Sequence, residues 1–207
     1  MFTGIIQTQA RVVSAQLMQG VLRLKISVAK EFVQHLELGA SIAINGCCLT
    51  VVAVDDDKDM AYVSFDIIDE TLQLTNLGAV TESTLVNFER SLTFGAELGG
   101  HIVSGHIHCV ASITDIIKQQ NNYKMHLKIA KKWQKYVLYK GFVCVNGASL
   151  TVGELDDDGF WLHLIPETLA LTNLAHSSIG EQLNIEVDQQ TYTIINTVEN
   201  YMRRYDR

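Results

Sequence analysis

Proline is nearly absent from this sequence, with one residue, Pro166, in 207. Long proline-rich linkers and disordered tails are therefore excluded. Cysteine is also scarce, and no Cys-x-x-Cys pair exists, since Cys47 and Cys48 are adjacent while Cys109 and Cys144 are isolated. This spacing argues against a zinc knuckle and against a disulfide framework. No run reaches the ~18 apolar residues that a membrane-spanning helix needs, so we expect no membrane partner.

An excess of positive charge is missing as well. The sequence has 16 lysines and arginines and 23 aspartates and glutamates, which gives a net charge of −7 at pH 7. We expect no nucleic-acid partner, because binding one requires a basic surface that neutralises phosphates. The segment Met1–Ile6 has no charged region before its apolar residues, so we expect no secretory signal and a cytoplasmic location.

What the sequence does have is an internal repeat. Five blocks recur in the same order at offsets between 97 and 103 residues. The matching blocks are Leu24–Ile26 with Leu127–Ile129, Asn45–Val51 with Asn146–Val152, Asp55–Asp57 with Asp156–Asp158, Glu70–Leu77 with Glu167–Leu174, and Asn87–Glu89 with Asn184–Glu186. Length alone fits one large domain or two small ones. The repeat predicts two copies of one domain.

Each copy has mostly the pattern of β-strands. Apolar and polar residues alternate over 61–67 and over 124–129, as in half-buried strands. The acidic triplets at 55–57 and 156–158 are typical of hairpin turns. Short helical pieces are predicted at Glu31–Leu38, at Lys131–Tyr139 and at both Glu-Thr-Leu segments. Many short strands predict an all-β protein with two small antiparallel barrels.

The glycines in the stretch Phe94–Gly100 mark the junction of the two copies. We therefore assign one barrel to residues 1–97 and the other to residues 98–190. The tail, 191–207, has no counterpart in the first copy and is predicted to be a helix.

The predicted C-terminal helix has an apolar face and a basic end. Its apolar residues fall on one side of a helix, at Ile194, Val198, Tyr201, Met202 and Tyr205. Cations suit the C-terminal end of the helix dipole, where the chain has Arg203, Arg204 and Arg207. We favour self-association through the apolar face, since closed homo-oligomers are common. Packing on the chain's own barrels is the alternative.

The repeated Asn-Gly-x-x-Leu-Thr-Val motif allows two interpretations. Asn-Gly is a favoured turn pair, and Leu-x-Val can begin a core strand. A threonine in both copies, Thr50 and Thr151, also suits hydrogen bonding to a planar heterocycle. Within the motif Cys48 aligns with Ser149. Because neighbouring strand residues face opposite sides, we expect Cys47 to be buried and Cys48 to face a site; a lone buried thiol is the alternative.

Three histidines, His101, His106 and His108, form the densest histidine cluster in the sequence. On a strand, His106 and His108 would share a face. We nevertheless predict no metal site, because zinc usually needs three or four convergent ligands and calcium needs a loop pattern that the acidic triplets lack. We favour a hydrogen bond or an acid–base role for one histidine. His106 aligns with Ile5, so the two copies would form similar but unequal pockets for a polar small molecule.

Several motifs in order, spanning residue 1 to about residue 200, closely resemble the riboflavin synthases of the alpha-chain type, a lumazine-binding family of tandem barrels. These motifs are Met1–Ile6, Asn45–Val51, Gly99–His101, Ser104–Ile107, Lys140–Phe142 and His163–Leu169. The resemblance implies two six-stranded antiparallel barrels, followed by a C-terminal helix through which three subunits associate. It also implies an active site between the N-terminal barrel of one subunit and the C-terminal barrel of its neighbour.

An activity follows from the same resemblance. The family converts two molecules of 6,7-dimethyl-8-ribityllumazine into riboflavin and 5-amino-6-ribitylamino-uracil by passing a four-carbon unit between them. Neither a metal nor an organic cofactor is required, and lumazine synthase is an implied partner. The resemblance makes Cys48 the candidate nucleophile or polarising group. His106, Ser149 and Asp188 become candidates for proton handling.

The substrate contacts of the family, carried over by position, fall in both copies of the repeat. In the first copy they are Gly4, Ile5, Ile6, Cys48, Leu49, Thr50, Asp66, Ile67, Ile68, Asp69, Glu70 and Thr71. In the second copy they are Gly105, His106, Ile107, Lys140, Ser149, Leu150, Thr151, Ile165, Pro166, Glu167, Thr168, Leu169 and Ala170.

Two further points bear on this interpretation. Many family members have aspartate where this chain has Asn146, so a carboxylate role is unavailable there and a structural turn role is open. The alternative function is a non-catalytic lumazine- or flavin-binding protein, such as the fluorescent antenna proteins similar to this family. Those relatives have eroded motifs, whereas Cys47–Cys48, Ser104–His106 and both Leu-Thr-Val segments are intact here.

Overall fold

The computed structural model describes residues 1–18, 20–119 and 122–205. The first six strands are β1 Thr8–Met18, β2 Val21–Ala29, β3 Ser41–Ile44, β4 Cys47–Asp56, β5 Met60–Ile68 and β6 Leu85–Arg90. The next six are β7 Cys109–Gln119, β8 Asn122–Lys128, β9 Phe142–Val145, β10 Ala148–Leu155, β11 Gly159–Leu164 and β12 Gln182–Val187. The α-helices are α1 Asp69–Leu74, α2 Lys131–Gln134, α3 Pro166–Leu171 and α4 Gln189–Tyr205, and the 3-10 helices are Lys30–Val33, Asn76–Ala79 and Asn173–His176.

The strands form two closed antiparallel barrels of six strands each. Their orders around the barrel, β1-β2-β5-β4-β3-β6 and β7-β8-β11-β10-β9-β12, are equivalent. The predicted all-β class, with two tandem barrels and a C-terminal helix, is thereby confirmed. The strands of the two barrels lie on either side of residues 91–108, while the domain boundaries at 97/98 and 190/191 stay predictions.

Local patterns account for much of this architecture. The alternating residues 61–67 lie in β5, where Ala61, Val63, Phe65 and Ile67 are buried. The acidic triplet 156–158 forms the turn between β10 and β11, whereas the first triplet ends β4 and begins the turn to β5. The helices expected over 31–38 and 131–139 are shorter than predicted, at Lys30–Val33 and Lys131–Gln134. The first ends early because the backbone becomes extended at residue 34.

The two barrels are joined by segments that cross from one to the other. Ile6 precedes the first strand of the first barrel, yet its side chain lies in the hydrophobic core of the second barrel. Ile107 precedes the second barrel and packs against the core of the first. Between the barrels Phe2 pairs with Val103, and both side chains are buried with Cys144. The junction is therefore an exchange of N-terminal segments.

The Asn-Gly turns of the repeat meet each other at the interface between the barrels. A Cβ on Gly46 would lie 2.6 Å from the backbone nitrogen of Gly147, and both glycines have positive φ. Beside them the buried Asn87 donates to the carbonyl of Asn146 at 2.8 Å, and Asn184 donates to the carbonyl of Asn45 at 2.9 Å. These side chains link each barrel to the other, so the motif has a structural role at the interface.

Helix α4 is docked on the second barrel. Asp188 caps it, because its Oδ2 accepts hydrogen bonds from the backbone nitrogen and the hydroxyl of Thr191. Tyr192 and Ile195 pack against the barrel core, and the hydroxyl of Tyr136 donates to Asn196 at 2.6 Å.

The predicted apolar face of α4 is largely exposed. Its four described side chains are each more than half exposed: Ile194, Val198, Tyr201 and Met202. The alternative in which this face packs on the chain's own barrels is therefore wrong, because a different side of the helix docks. The side chain of Tyr205 and the whole of Arg207 lie outside the described residues. No helix in the described part of the chain has the length and apolar character needed to cross a bilayer.

Candidate active site

A crossing segment and strand β10 form one half-site. The backbone nitrogen of Ser149 donates to the carbonyl oxygen of Gly4 at 2.8 Å. Gly4 has a φ of +73°, and a Cβ at this position would lie 2.6 Å from the Cβ of Ser149. Only glycine satisfies both the left-handed backbone and the close approach. We call the half-site around Ser149 and residues 3–6 the serine half-site.

The second half-site repeats this geometry with the barrels interchanged. The backbone nitrogen of Cys48, on β4, donates to the carbonyl oxygen of Gly105 at 2.8 Å. Gly105 has a φ of +84°, and its Cβ would lie 2.6 Å from the Cβ of Cys48. We call the region around Cys48 and residues 104–107 the cysteine half-site.

Two buried glutamates anchor the crossing segments. Glu89 accepts hydrogen bonds from the backbone nitrogen of Thr3 at 2.6 Å and from its hydroxyl at 2.8 Å. Glu186 accepts the equivalent bonds from Ser104 at 2.7 and 2.6 Å. Burial raises the pKa of Glu89, and the bonds from Thr3 oppose that rise. Sequence reasoning missed both carboxylates as part of the site, although the repeated Asn-x-Glu block contains them.

The crossing changes how the sequence-predicted site residues are grouped. Gly4–Ile6, assigned with the first barrel, lie beside Ser149 of the second. Gly105–Ile107, assigned with the second barrel, lie beside Cys48 and the core of the first. The grouping by copy is therefore wrong, because each segment crosses the interface before its own first strand begins.

The serine half-site contains an open cleft of about 210 Å³. Its lining combines residues of both barrels and includes many of the predicted substrate contacts: Gly4, Ile5, Ile6, Ala148, Ser149, Leu150, Ile165, Glu167, Thr168, Leu171 and Thr172. Apolar side chains at its rim are exposed, among them Ile5 at 45% and Ile165 at 63%. The cleft thus offers apolar surface together with the polar side chains of Ser149, Glu167, Thr168 and Thr172.

The adjacent cysteines are separated as predicted. Cys47 is buried, and burial raises the pKa of its thiol to about 12, with smaller contributions from Cys48 and Glu186. Cys48 is partly exposed beside Gly105. The thiol of Cys47 is therefore protonated at neutral pH, and Cys48 is the cysteine that faces the half-site.

The three histidines have different environments. His106 is exposed in the loop before β7, so the expectation that His106 and His108 share a strand face is wrong. His108 packs in an aromatic cluster with Trp133 and Tyr192. His101 is buried, and its Nδ1 lies 2.7 Å from the hydroxyl of Ser149. The described residues contain no group of three or more metal-binding side chains.

Comparisons with known proteins agree with this geometry. The model of the lumazine binding domain matches residues 3–91 and again residues 104–188, one match for each barrel. The riboflavin synthase of Escherichia coli (strain K12) is 42% identical over 203 residues, covering 98% of this chain and 93% of that protein. The chain belongs to the riboflavin synthase family of enzymes.

Other relatives extend the comparison. The riboflavin synthase of Chlamydia pneumoniae is 37% identical, covering 98% of this chain and 97% of that protein. Among solved structures, LumP complexed with riboflavin is 28% identical with a TM-score of 0.80, and the match covers 91% of this chain and all of that one. LumP complexed with 6,7-dimethyl-8-(1'-D-ribityl) lumazine is 25% identical with a TM-score of 0.79, at the same coverage.

The remaining residues expected from the family have varied positions. Leu49 and Ile67 are core residues of the first barrel, and Leu150 lies in the core of the second while also lining the cleft. Thr50 and Thr151 are exposed on β4 and β10. Ten further residues are exposed or half-buried. They are Ile68 at the end of β5 with Asp69, Glu70 and Thr71 in α1, and Ile165 after β11 with Pro166, Glu167, Thr168, Leu169 and Ala170 in α3.

Three polar residues of the expected site are engaged in other contacts. Asp66 forms a two-bond ion pair with Arg23, which lowers the pKa of the Asp66 carboxyl. Lys140 lies in a left-handed turn before β9 and outside the cleft lining, with its Nζ over the ring of Tyr139. Asp188 caps α4.

Asn146 belongs to the interface between the barrels. Its Oδ1 accepts hydrogen bonds from the backbone nitrogen of Asn184 at 2.8 Å and from the side chain of Asn76 at 3.1 Å. The residue is buried with a φ of 45°. Its contacts give it the structural turn role that the sequence left open.

Proposed function

We propose that the protein catalyses the dismutation of 6,7-dimethyl-8-ribityllumazine, yielding riboflavin and 5-amino-6-ribitylamino-uracil. The observation that carries the proposal is the pair of half-sites in one chain, each formed by a crossing glycine segment and a strand residue of the opposite barrel. Two half-sites of equivalent construction suit a reaction whose two substrates are the same molecule. Relatives that are riboflavin synthases support this choice.

Differences between the half-sites suit the unequal parts of the two substrates. One molecule gives up a four-carbon unit and the other accepts it. Cys48 and the neighbouring His106 belong to one half-site, and Ser149 and Ile5 belong to the other. We assign Cys48 the nucleophilic or polarising role, and His106, Ser149 and Asp188 the proton handling.

Positioning supplies a large part of the rate in this proposal. The crossing segments are held by buried carboxylates and by backbone hydrogen bonds, so the half-sites are rigid before a ligand binds. Holding two rings at reacting distance removes ~7–11 kcal/mol of the activation barrier, because the entropy of bringing the reactants together is lost on binding.

A homotrimer completes the site in this proposal. The cleft of about 210 Å³ is smaller than the ~300–1,000 Å³ typical of ligand pockets, so one chain does not enclose a whole substrate. Its apolar rim and the exposed face of α4 supply surfaces for neighbouring subunits. We therefore place the active site between the N-terminal barrel of one subunit and the C-terminal barrel of the next. A cytoplasmic location and association with lumazine synthase stay predictions.

The second candidate function is binding of a lumazine or flavin without turnover. The likeness to LumP complexed with riboflavin favours it, since the same fold there holds the product of the proposed reaction. Identity to the riboflavin synthase of E. coli is higher, at 42% against 28%, which favours the enzyme.

Mixing the purified protein with 6,7-dimethyl-8-ribityllumazine separates the two functions. We expect riboflavin to accumulate far beyond the concentration of protein, followed by its absorbance. Stoichiometric binding of the lumazine with no riboflavin formed would contradict the proposed enzyme activity and favour the binding function.

A further inference from the structure

The linker between the barrels closes over Ser149. A Cβ on Gly100 would lie 2.8 Å from the Cβ of Ser149, 3.0 Å from its hydroxyl oxygen and 2.2 Å from the carbonyl oxygen of Thr3. A side chain at residue 100 has no room, so glycine lets the linker approach the strand. The next residue, His101, is thereby brought against the serine hydroxyl.

The ring of His101 is fixed on several sides. Its Nδ1 lies 2.7 Å from Oγ of Ser149, and its ring stacks on Phe142 with 5.1 Å between centroids and 16° between planes. Its backbone nitrogen donates to the carbonyl of Thr3 at 3.2 Å. The residue is 7% exposed, so the hydrogen bond to Ser149 is shielded from water.

Asp188, at the start of helix α4, is a charged group that acts on His101. The carboxylate caps the helix through Oδ2, with bonds of 2.8 and 2.7 Å from Thr191. Burial lowers the pKa of His101, and the negative charge of Asp188 opposes this by less, so the ring is neutral at pH 7. The ring contacts the Ser149 hydroxyl and Phe142, and Asp188 is the charged group that acts on it.

The cysteine half-site has different residues at the equivalent positions. By the repeat, Phe142 corresponds to Ser41 and Asp188 to Ser91. The hydroxyl of Ser91 donates to the carbonyl of Ser41 at 2.7 Å, so a hydrogen bond between two neutral groups occupies this position in the cysteine half-site. The buried imidazole and the nearby carboxylate therefore distinguish the serine half-site.

We infer that His101 is a positioning residue for Ser149: Nδ1 of the buried ring accepts the proton of the hydroxyl, so that the lone pairs of Oγ face the cleft and accept a hydrogen bond from the bound ring. Protonation of the imidazole converts Nδ1 into a donor and turns Oγ–H toward the cleft instead. The ring recognised here is therefore one that donates a hydrogen bond. The identity of that ring rests on the proposed function.

A double-mutant cycle tests whether His101 acts through Ser149. We expect His101→Ala to lower kcat/KM roughly 5- to 30-fold, the value of one well-placed hydrogen bond. His101→Asn, whose amide oxygen can take the place of Nδ1, should recover part of this loss. In a Ser149→Ala background the effect of His101→Ala should fall below about twofold. An undiminished effect in that background overturns the inference, because it shows that His101 acts by structure alone.

The pH dependence tests whether the unprotonated ring of His101 is the form that positions Ser149. Asp188→Asn keeps a good helix cap and removes the charge. His101 should then titrate at lower pH, as followed by NMR of its imidazole C–H, and the acid limb of kcat/KM should move with it. Helix content by circular dichroism should not change. An acid limb of kcat/KM that does not follow the titration of His101 overturns the inference.

The two proposals fail separately. If the unaltered protein binds the lumazine without turnover, the proposed function fails, while the double-mutant cycle still decides this inference. The cycle is then measured on the dissociation constant of the lumazine instead of kcat/KM.

Discussion

At the scale of single residues, Cys47 and Cys48 have opposite environments although they are neighbours in sequence. Cys47 is buried with its thiol pKa raised to about 12, and Cys48 faces the half-site. We expect Cys48→Ala to slow riboflavin formation roughly 10²-fold, as the loss of a polarising group at the reacting centre does. Cys47→Ala should cost about 1 kcal/mol of stability and leave turnover nearly unchanged. Equal losses of turnover would remove the special role of Cys48.

Glycines of similar backbone conformation allow a matched test of the crossing segments. Gly105 (φ +84°) contacts Cys48, whereas Gly95 (φ +87°) has open space where its Cβ would lie. Alanine at either position incurs backbone strain of about 1–3 kcal/mol. Only Gly105→Ala also pushes against Cys48, so we expect it to lose more stability and most of the turnover. Chemical denaturation and initial rates of both variants decide this; the same rate in both would contradict it.

The residues of the site were predictable from sequence only in part. The Cys48/Ser149 correspondence follows from the repeat, and the burial of Cys47 follows from strand alternation. The partnership of His101 with Ser149 could not be predicted, because it depends on the path of the linker over β10. The sequence also did not predict that the segments containing Ile6 and Ile107 cross to the opposite barrels, since aligning the copies assigns each segment to its own barrel.

At the scale of secondary-structure elements, α4 has two sides with different surroundings. One docks on the second barrel through Tyr192 and Ile195, and the other exposes Val198 and its apolar neighbours. We expect Val198→Glu to dissociate the proposed trimer and to abolish turnover, because a charge at that face prevents its burial. The exposed Asn200, away from the apolar face, gives the control Asn200→Glu.

Light scattering coupled to size exclusion measures the outcome. A Val198→Glu protein that stays a trimer with full activity would exclude this face as the interface. A monomer that retains full turnover would instead exclude an active site shared between subunits.

The elements themselves were the most predictable level. Alternation over 61–67 indicated β5, and the acidic triplets indicated hairpin turns, because both signals are local. The apolar face of α4 was predicted as well. Which side of α4 docks was not, since Tyr136 and Asn196 come together only after the barrel has formed.

At the scale of the whole molecule, asparagine side chains hold the barrels together. Asn87 donates to the carbonyl of Asn146 at 2.8 Å and accepts from the backbone nitrogen of Asn173 at 2.7 Å. Asn87→Ala leaves both groups buried without a partner, each costing about 1–3 kcal/mol. We therefore expect a loss of at least about 2 kcal/mol in the free energy of unfolding, measured in urea.

The control for the interface is Asn200→Ala, an exposed change that should stay within about 0.5 kcal/mol of the unaltered protein. Equal stabilities of the Asn87 and Asn200 variants would show that the buried asparagine bonds contribute nothing to the joining of the barrels.

The pairing of two equivalent but unequal half-sites is tested most directly by the stoichiometry of the reaction. A known amount of 6,7-dimethyl-8-ribityllumazine is incubated with the protein, and substrate and both products are quantified by chromatography over time. Dismutation predicts one riboflavin and one 5-amino-6-ribitylamino-uracil for every two lumazines consumed. Riboflavin formed from each lumazine one for one, or lumazine recovered unchanged, would contradict it.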